Sequence, residues 1–377
     1  MTLLERQSRL GRKLLATGNG RCNLTNTRAA AEHYHGEDPG FALPALNKYP
    51  PAAVLEFFAG LGLQTVTEYG GRVYPMSDHA GSVLDVLRLA LDRADVELVT
   101  GAAVTDVSRS GGGFAVTWDG GSARADRLIV ACGGCAGRKL GGVTDGYALL
   151  SALGHSRTAL RPALTAVRTA PDYPRALKGI RADAIASVLR DGTVLASERG
   201  DVLFTETGLS GTAIFALSRA VSAGGGGLSV SLDFFPDAAE AALLSDLYAR
   251  RERWPGLEAN RILTGTVQSR LGLMLCKYAG LGGGETVGTL TDAALKKLSR
   301  AMKRFSLPVT GVGGFDVSQV TAGGVRTSEF DPETLQSRLV PGLYACGEVL
   351  DIDGDCGGFN LQWAWASGLL AGELSCS

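Results

Sequence analysis

The hydrophobic positions change period along the chain. Thr2-Leu3-Leu4-Glu5 reads as a short strand ending in an acid. Residues 10–26 break the apolar pattern with Gly11, Gly18 and Gly20, three cations and several Asn and Thr side chains, and read as a loop. Over 51–62, Val54, Leu55, Phe57, Phe58 and Leu61 recur at helical spacing until Gly60 and Gly62 stop them. Residues 82–94 predict a second helix, with Val83, Leu84, Val86, Leu87, Leu89, Ala90 and Leu91 inward. Short strands follow at 96–99, 102–107 and 114–118, divided by Gly111-Gly112-Gly113 and closed by the hairpin-like turn Asp119-Gly120-Gly121. Residues 127–134 are different: a continuous apolar run stops at Gly133-Gly134. Such a run suits a strand covered on both faces. Glycines at its carboxyl end are where open α/β sheets hold ligands. Residues 145–153 predict a helix closed by Gly154.

From about residue 160 the texture changes. Strand patterns at 163–167, 184–190, 192–195, 202–204 and 228–235 surround one helix at 211–223, with Gly224 to Gly227 as a turn. Residues 237–305 are mostly helical, and Pro308 is expected to end the block. We read 160–310 as an inserted domain, with a β part at 160–235 and a helical part at 236–305. It divides a first domain into 1–159 and 311–377. In the closing part, Leu339 to Glu348 reads as a buried strand, 351–360 as a glycine and acid loop, and 361–374 as a helix with Trp363 and Trp365 in its core face.

Composition narrows the function. The net charge of −1 gives no electrostatic footprint for nucleic acid or an anionic membrane. No apolar stretch reaches the length of a membrane span, and the first residues leave no room for a signal peptide. Seven cysteines without framework spacing suit reduced thiols, hence the cytoplasm. Glycine is 52 of 377 residues, about twice the usual ~7%. Much of it lies in loops with Arg, Asn and Asp, where backbone amides can face an anion. Cys132-Gly133-Gly134-Cys135 is a lone CxxC, readable as a redox dithiol or as a tight turn. A metal site at His33-Tyr34-His35 is disfavoured, no metal is expected, and no Gly-x-Ser-x-Gly hydrolase turn occurs.

Leu10-Gly11-Arg12-Lys13-Leu14-Leu15-Ala16-Thr17-Gly18-Asn19-Gly20-Arg21-Cys22-Asn23-Leu24-Thr25-Asn26 closely resembles the opening signature of the BaiN-like, aminoacetone-oxidase-like bacterial NAD(P)/FAD-dependent oxidoreductases. Residues 342–364, with Ala345-Cys346-Gly347-Glu348 and Gly354-Asp355-Cys356-Gly357-Gly358-Phe359-Asn360, resemble its closing motif. The resemblance implies an α/β fold: a discontinuous, glutathione-reductase-like FAD-binding Rossmann-type domain with an inserted β-barrel-like plus helical domain. It implies that Glu5 binds the adenosine ribose and Val104 contacts adenine. It places Arg12, Lys13, Gly18, Gly20, Arg21, Cys22, Asn23 and Thr25 along the flavin, and Gly347 and Glu348 near the ribityl and pyrophosphate. Gly357, Gly358, Phe359 and Asn360 would meet the isoalloxazine ring. With them we group Gly133 and Gly134. Such proteins also carry a first strand and a Gly-x-Gly-x-x-Gly turn about 20 residues before the acid. Only four residues precede Glu5, so this chain is expected to lack that unit.

The sequence therefore predicts an FAD-dependent oxidoreductase acting on a small molecule, with NAD(P)H a candidate donor and Arg21 a candidate stabiliser of the reduced ring. The insert is expected to form the substrate pocket. Two alternatives stay open: a flavin-free remnant acting only as a binding protein, and a dithiol oxidoreductase using Cys132 and Cys135. No acid–base residue stands out.

Overall fold

The computed structural model describes residues 1–375. These form two compact units, 1–163 with 314–375, and 164–313.

The second unit is built on a closed six-stranded barrel. Its strands run, in order around the ring, Val167–Thr169, Gly208–Ser210, Thr193–Phe204, Arg181–Arg190, Leu228–Asp233 and Phe305–Val312, and the last pairs with the first. Alternation explains the inward face: Ala184, Ala186 and Val188 are buried, as are Val230 and Leu232 opposite. The helix Thr212–Gly224 adds Ala213, Ile214, Leu217 and Val221 to this core. The helices Glu240–Arg253, Ser269–Tyr278 and Asp292–Lys303 join the same core through Leu247, Leu275, Leu295 and Leu298.

Three sequence expectations need correction here. The runs at 192–195 and 202–204 belong to one twelve-residue strand, Thr193–Phe204, joined through the exposed polar residues Ser197, Glu198 and Arg199. Pro308 does not end the block; it sits inside the strand that closes the barrel, opposite Ser229, and its carbonyl still accepts from the Ala170 amide at 2.9 Å. A proline that keeps its acceptor can occupy a ladder position whose N–H is not required. The strand Arg161–Ala163 pairs with Val320–Ala322 and belongs to the first unit.

The first unit is an α/β assembly of small sheets. Thr2–Glu5 pairs in parallel with Glu97–Thr100, and Leu128–Val130 in parallel with Leu343–Ala345, as two separate two-stranded sheets. Val104–Ser110, Gly113–Trp118 and Gly121–Ala125 form an antiparallel meander. The helices Pro51–Gly60, Ala80–Arg93 and Asp145–Ala152 match their periodic patterns, although Leu89, expected inward, is exposed. The loop expected at 10–26 contains a helical turn, Arg12–Ala16, entered through a left-handed Gly11. The closing helix Phe359–Gly372 buries Trp363, Ala366 and Leu370 against Leu150, Leu343 and Tyr344. A smaller core gathers Cys22, Leu24, Val54, Phe58 and Val83. Among the described residues, no helix is long and apolar enough to cross a membrane.

Candidate active site

The two loops singled out in the sequence meet in the first unit. Thr25–Asn26 pairs with the strand Arg72–Pro75 and so holds the end of the first loop in place. Asn26 Nδ2 then donates to the Gly357 carbonyl at 2.9 Å, and Thr25 Oγ1, fully buried, to Gln362 Oε1 at 2.5 Å. Gly358 lies in the left-handed region, φ +104°, at the start of the closing helix. A Cβ there would sit 2.6 Å from the Thr25 carbonyl and 2.9 Å from Asn23 Oδ1, so only glycine permits the approach.

Glu348 ties in the third segment. Its carboxylate pairs with Lys13 Nζ at 2.6 Å and accepts from the Thr321 amide at 2.7 Å and the Gly134 amide at 3.3 Å. Gly134 is itself close-packed, since a Cβ would lie 2.5 Å from Thr321 Oγ1. Three residues 335, 214 and 27 positions away from Glu348 thus converge on one carboxylate.

The remaining expected site residues divide by what they touch. Arg12 donates to Gln7 Oε1 at 2.6 Å and to the Lys139 carbonyl at 3.1 Å. Glu5 accepts from the Gln7 amide at 2.7 Å, and Val104 opens the meander, half-buried. Arg21 is committed to Glu68 and Asp78 and lies 3.9 Å over the Tyr74 ring, so its charge is already balanced by two carboxylates. Cys22 is fully buried in the small core, and burial pushes its thiol up to about 11. Its side chain packs in that core. Asn360 closes on its own loop through the Gly354 backbone, at 2.8 and 2.7 Å. Gly18 and Gly357 supply left-handed turns.

What is left open has the character of a cradle. Gly20, Gly133 and Gly347 all have positive φ, and a Cβ on any of them would meet nothing closer than 3.9 Å. Asn23 Oδ1 is buried without a hydrogen-bond partner among the described residues. Open space over left-handed glycines plus an unsatisfied buried acceptor fits a large ligand with a polar edge, as FAD is. The CxxC is not such a feature. Cys132 is exposed as a residue, but its Sγ is tucked against Gly146, and desolvation of the sulfur there raises the thiol. Burial also raises Cys135, whose Sγ lies 3.7 Å from Thr321 Oγ1. Neither is a ready thiolate.

Beside the closing loop lies a pocket of about 190 Å³, lined by Asn26, Arg28, His33, Arg72, Cys356 and Phe359 among others. Here the structure shows what the sequence did not. The antiparallel pairing of Tyr34–His35 with Asp353–Gly354 brings two histidines to Asp355. His33 Nδ1 lies 3.0 Å from one carboxylate oxygen and His35 Nε2 2.8 Å from the other. Burial pushes the Asp355 carboxyl up, but hydrogen bonds from His35 and His33 outweigh it and hold it below the ordinary range. The His33 ring stacks on Phe359 at 4.1 Å. The only local signal was the spacing His33-Tyr34-His35, with His33 ending a helical turn and His35 on the short strand that follows it. Their partner stands 320 or more positions away. Among the described residues, no group of three or more His, Cys, Asp or Glu is placed to hold a metal ion.

The family model described as the HI0933-like protein Rossmann domain matches residues 1–374. The chain is 40% identical over 376 residues to the 3-dehydro-bile acid delta(4,6)-reductase of Clostridium scindens, covering 99% of this chain and 92% of that protein. It is 28% identical over 375 residues to the ribosomal RNA dihydrouridine synthase of Escherichia coli, covering 97% and 89%. Among solved structures it resembles a 3-ketosteroid-delta4-(5alpha)-dehydrogenase from Rhodococcus jostii RHA1, at 15% identity and a TM-score of 0.45, over 99% of this chain and 90% of that one. The chain belongs to the HI0933-like Rossmann-domain family.

Proposed function

From that membership we propose that this oxidoreductase uses FAD to reduce a carbon–carbon double bond conjugated to a carbonyl in a small-molecule substrate, with NAD(P)H as the electron donor. Two relatives support the reaction type. A 3-dehydro-bile acid Δ4,6-reductase acts on double bonds conjugated to a ring ketone, and a dihydrouridine synthase reduces the double bond conjugated to a uracil carbonyl. The observation that carries the cofactor is the cradle of Gly20, Gly133 and Gly347 around loops held together by Asn26, Gly358 and Glu348. FAD bound there supplies two-electron hydride chemistry.

The chain's own residues do the rest. Lys13 and Glu348 fix the spacing between the first loop and the Gly133-Gly134 turn. Asn23 offers an acceptor to the ligand's polar edge. Arg28 and Arg72 line the neighbouring pocket with no carboxylate partner among the described residues, so their charge is available to a substrate oxygen. The higher identity to the bile acid enzyme and the net charge of −1 favour a small molecule over ribosomal RNA.

The test is to purify the protein with FAD, supply NAD(P)H or dithionite, and add a 3-oxo-4,6-diene bile acid. Loss of the dienone absorbance, with a product two hydrogens heavier per bond reduced, is expected. Protein without flavin after FAD reconstitution would favour the binding-protein alternative. Reduction of uridine in ribosomal RNA but not of the dienone would overturn the small-molecule reading.

A further inference from the structure

We propose that His33 is the proton donor in the double-bond reduction and that Asp355 is its positioning residue. This rests on reading the chain as a conjugated-alkene reductase. Reducing such a bond breaks the π bond and makes two C–H bonds. One carbon takes a hydride equivalent, both electrons included, from the reduced cofactor. The other must take a proton from an acid in the pocket.

The pocket offers few acids. Arginines hold their protons too tightly to serve. Tyr69 is 96% exposed, and nothing in the pocket fixes its ring. That leaves Cys356 and His33. Imidazole is the side chain suited to give and regain a proton near neutral pH.

His33 is held as a donor has to be held. Its amide donates to the Ala30 carbonyl at 3.1 Å, and its carbonyl accepts from the Asp355 amide at 2.9 Å. Its ring is clamped between the Asp355 carboxylate and the Phe359 face. With Nδ1–H donating to Asp355, Nε2 is the ring nitrogen left without a partner among the described residues, on a residue that lines the pocket. Asp355 cannot swing away, because His35 holds its second oxygen and Asn360 Nδ2 donates to its carbonyl at 3.2 Å. The imidazolium gives its Nε2 proton to the substrate carbon, becomes neutral imidazole, and is reprotonated from solvent. Arg28 and Arg72 sit in the same pocket, where they can bear the negative charge that builds on the carbonyl oxygen.

The experiment uses the FAD-loaded full chain and a 3-oxo-4,6-diene bile acid in D₂O. His33→Gln, with His33→Asn as a second variant, is expected to slow dienone loss by about 10²-fold or more. Flavin occupancy and spectrum should stay unchanged, and deuterium at the protonated carbon should lose its single-face selectivity. Asp355→Asn should slow the reaction about tenfold and release the tautomer preference of His33 in ¹⁵N-histidine NMR, which a purely structural role would not move. Wild-type rate and selectivity in both His33 variants would overturn the proposal. So would Cys356→Ser alone producing these losses. If the wild type does not reduce the dienone, the alkene-reductase reading fails. The His33 assignment falls with it, whereas wild-type turnover that survives in both His33 variants sinks the assignment alone.

Discussion

The two units solve the same problem of backbone satisfaction in opposite ways. In the barrel every strand has two hydrogen-bonded neighbours, so strand ladders carry most of the joining and only the outer length of Thr193–Phe204 stays open on one side. Its side chains are then free to pack. In the other unit the strands come in sheets of two or three, and side chains from remote loops make the joins: Lys13 to Glu348, Asn26 to Gly357, His33 to Asp355. The first arrangement spends polar groups on the scaffold. The second leaves open space over Gly20, Gly133 and Gly347, an unsatisfied Asn23 Oδ1, and two arginines with no carboxylate partner among the described residues. Ligand chemistry belongs where the fold has not used up its donors.

That contrast predicts a separation of stability from cofactor binding. Phe305 is fully buried in the barrel, with Tyr278 at 4.7 Å, Tyr173 at 5.3 Å and Phe234 at 5.9 Å around its ring. Phe305→Ala should cost about 3–5 kcal/mol in urea unfolding, the range for an aromatic deletion that leaves a cavity. The folded fraction should keep its flavin-to-protein ratio. Loss of flavin from folded protein would mean that the barrel shapes the cradle after all.

A matched glycine pair sharpens the same point. Gly358 and Gly192 both have positive φ, but a Cβ at Gly192 meets nothing within 4 Å, whereas at Gly358 it meets the Thr25 carbonyl. Gly192→Val should cost only the backbone strain, about 1–3 kcal/mol. Gly358→Val carries that strain and also drives the closing loop off the first loop, so FAD content should fall strongly. Equal flavin occupancy in the two variants, read by absorbance, would remove the closing loop from the site. Glu348→Gln is a milder probe. It leaves Lys13 without its charge partner at a site about one-third exposed, which after solvent screening should cost about 1 kcal/mol and weaken FAD binding by up to tenfold.

What was legible in the sequence follows the same division. The helices Pro51–Gly60 and Ala80–Arg93, the meander and most barrel strands carry a local period, because one face of each is buried. Phe305–Val312 escaped because Pro308 reads as a stop, and only the ring closure shows that its missing N–H is tolerable. In the site, the glycine loops were visible as composition and motif. The side-chain joins were not: Glu348 stands 335 residues from Lys13, and Asp355 stands 322 from His33. No local pattern encodes such pairs. For the same reason Arg21 looked available in the sequence, while Glu68 and Asp78 occupy it in the fold.

The smallest effect concerns acid and salt. Each unit holds carboxyls below their ordinary range, but in different surroundings. In the barrel unit these are Glu206, bonded to Lys178, and Asp237, bonded to Arg199, with side chains 61% and 78% exposed. In the other unit, burial pushes Glu329 and Asp355 up, and hydrogen bonds from Ser156 and His155, and from His35 and His33, more than reverse it. A carboxyl whose folded pKa is depressed adds stability above its unfolded pKa of about 4, and that stability is lost as pH falls through the lower folded value. Both units should therefore lose stability below about pH 4. Salt separates them, because exposed pairs are screened within about 10 Å at 0.1 M while hydrogen bonds into a partly buried carboxylate are not. In high salt the Glu206→Gln and Asp237→Asn variants should unfold with acid as the parent does. Asp355→Asn and Glu329→Gln should still flatten the acid limb of the unfolding curve. If salt erased all four effects alike, the carboxylates of the first unit would be no better sheltered than those of the barrel, and the case for Asp355 as a fixed partner of His33 would weaken with it.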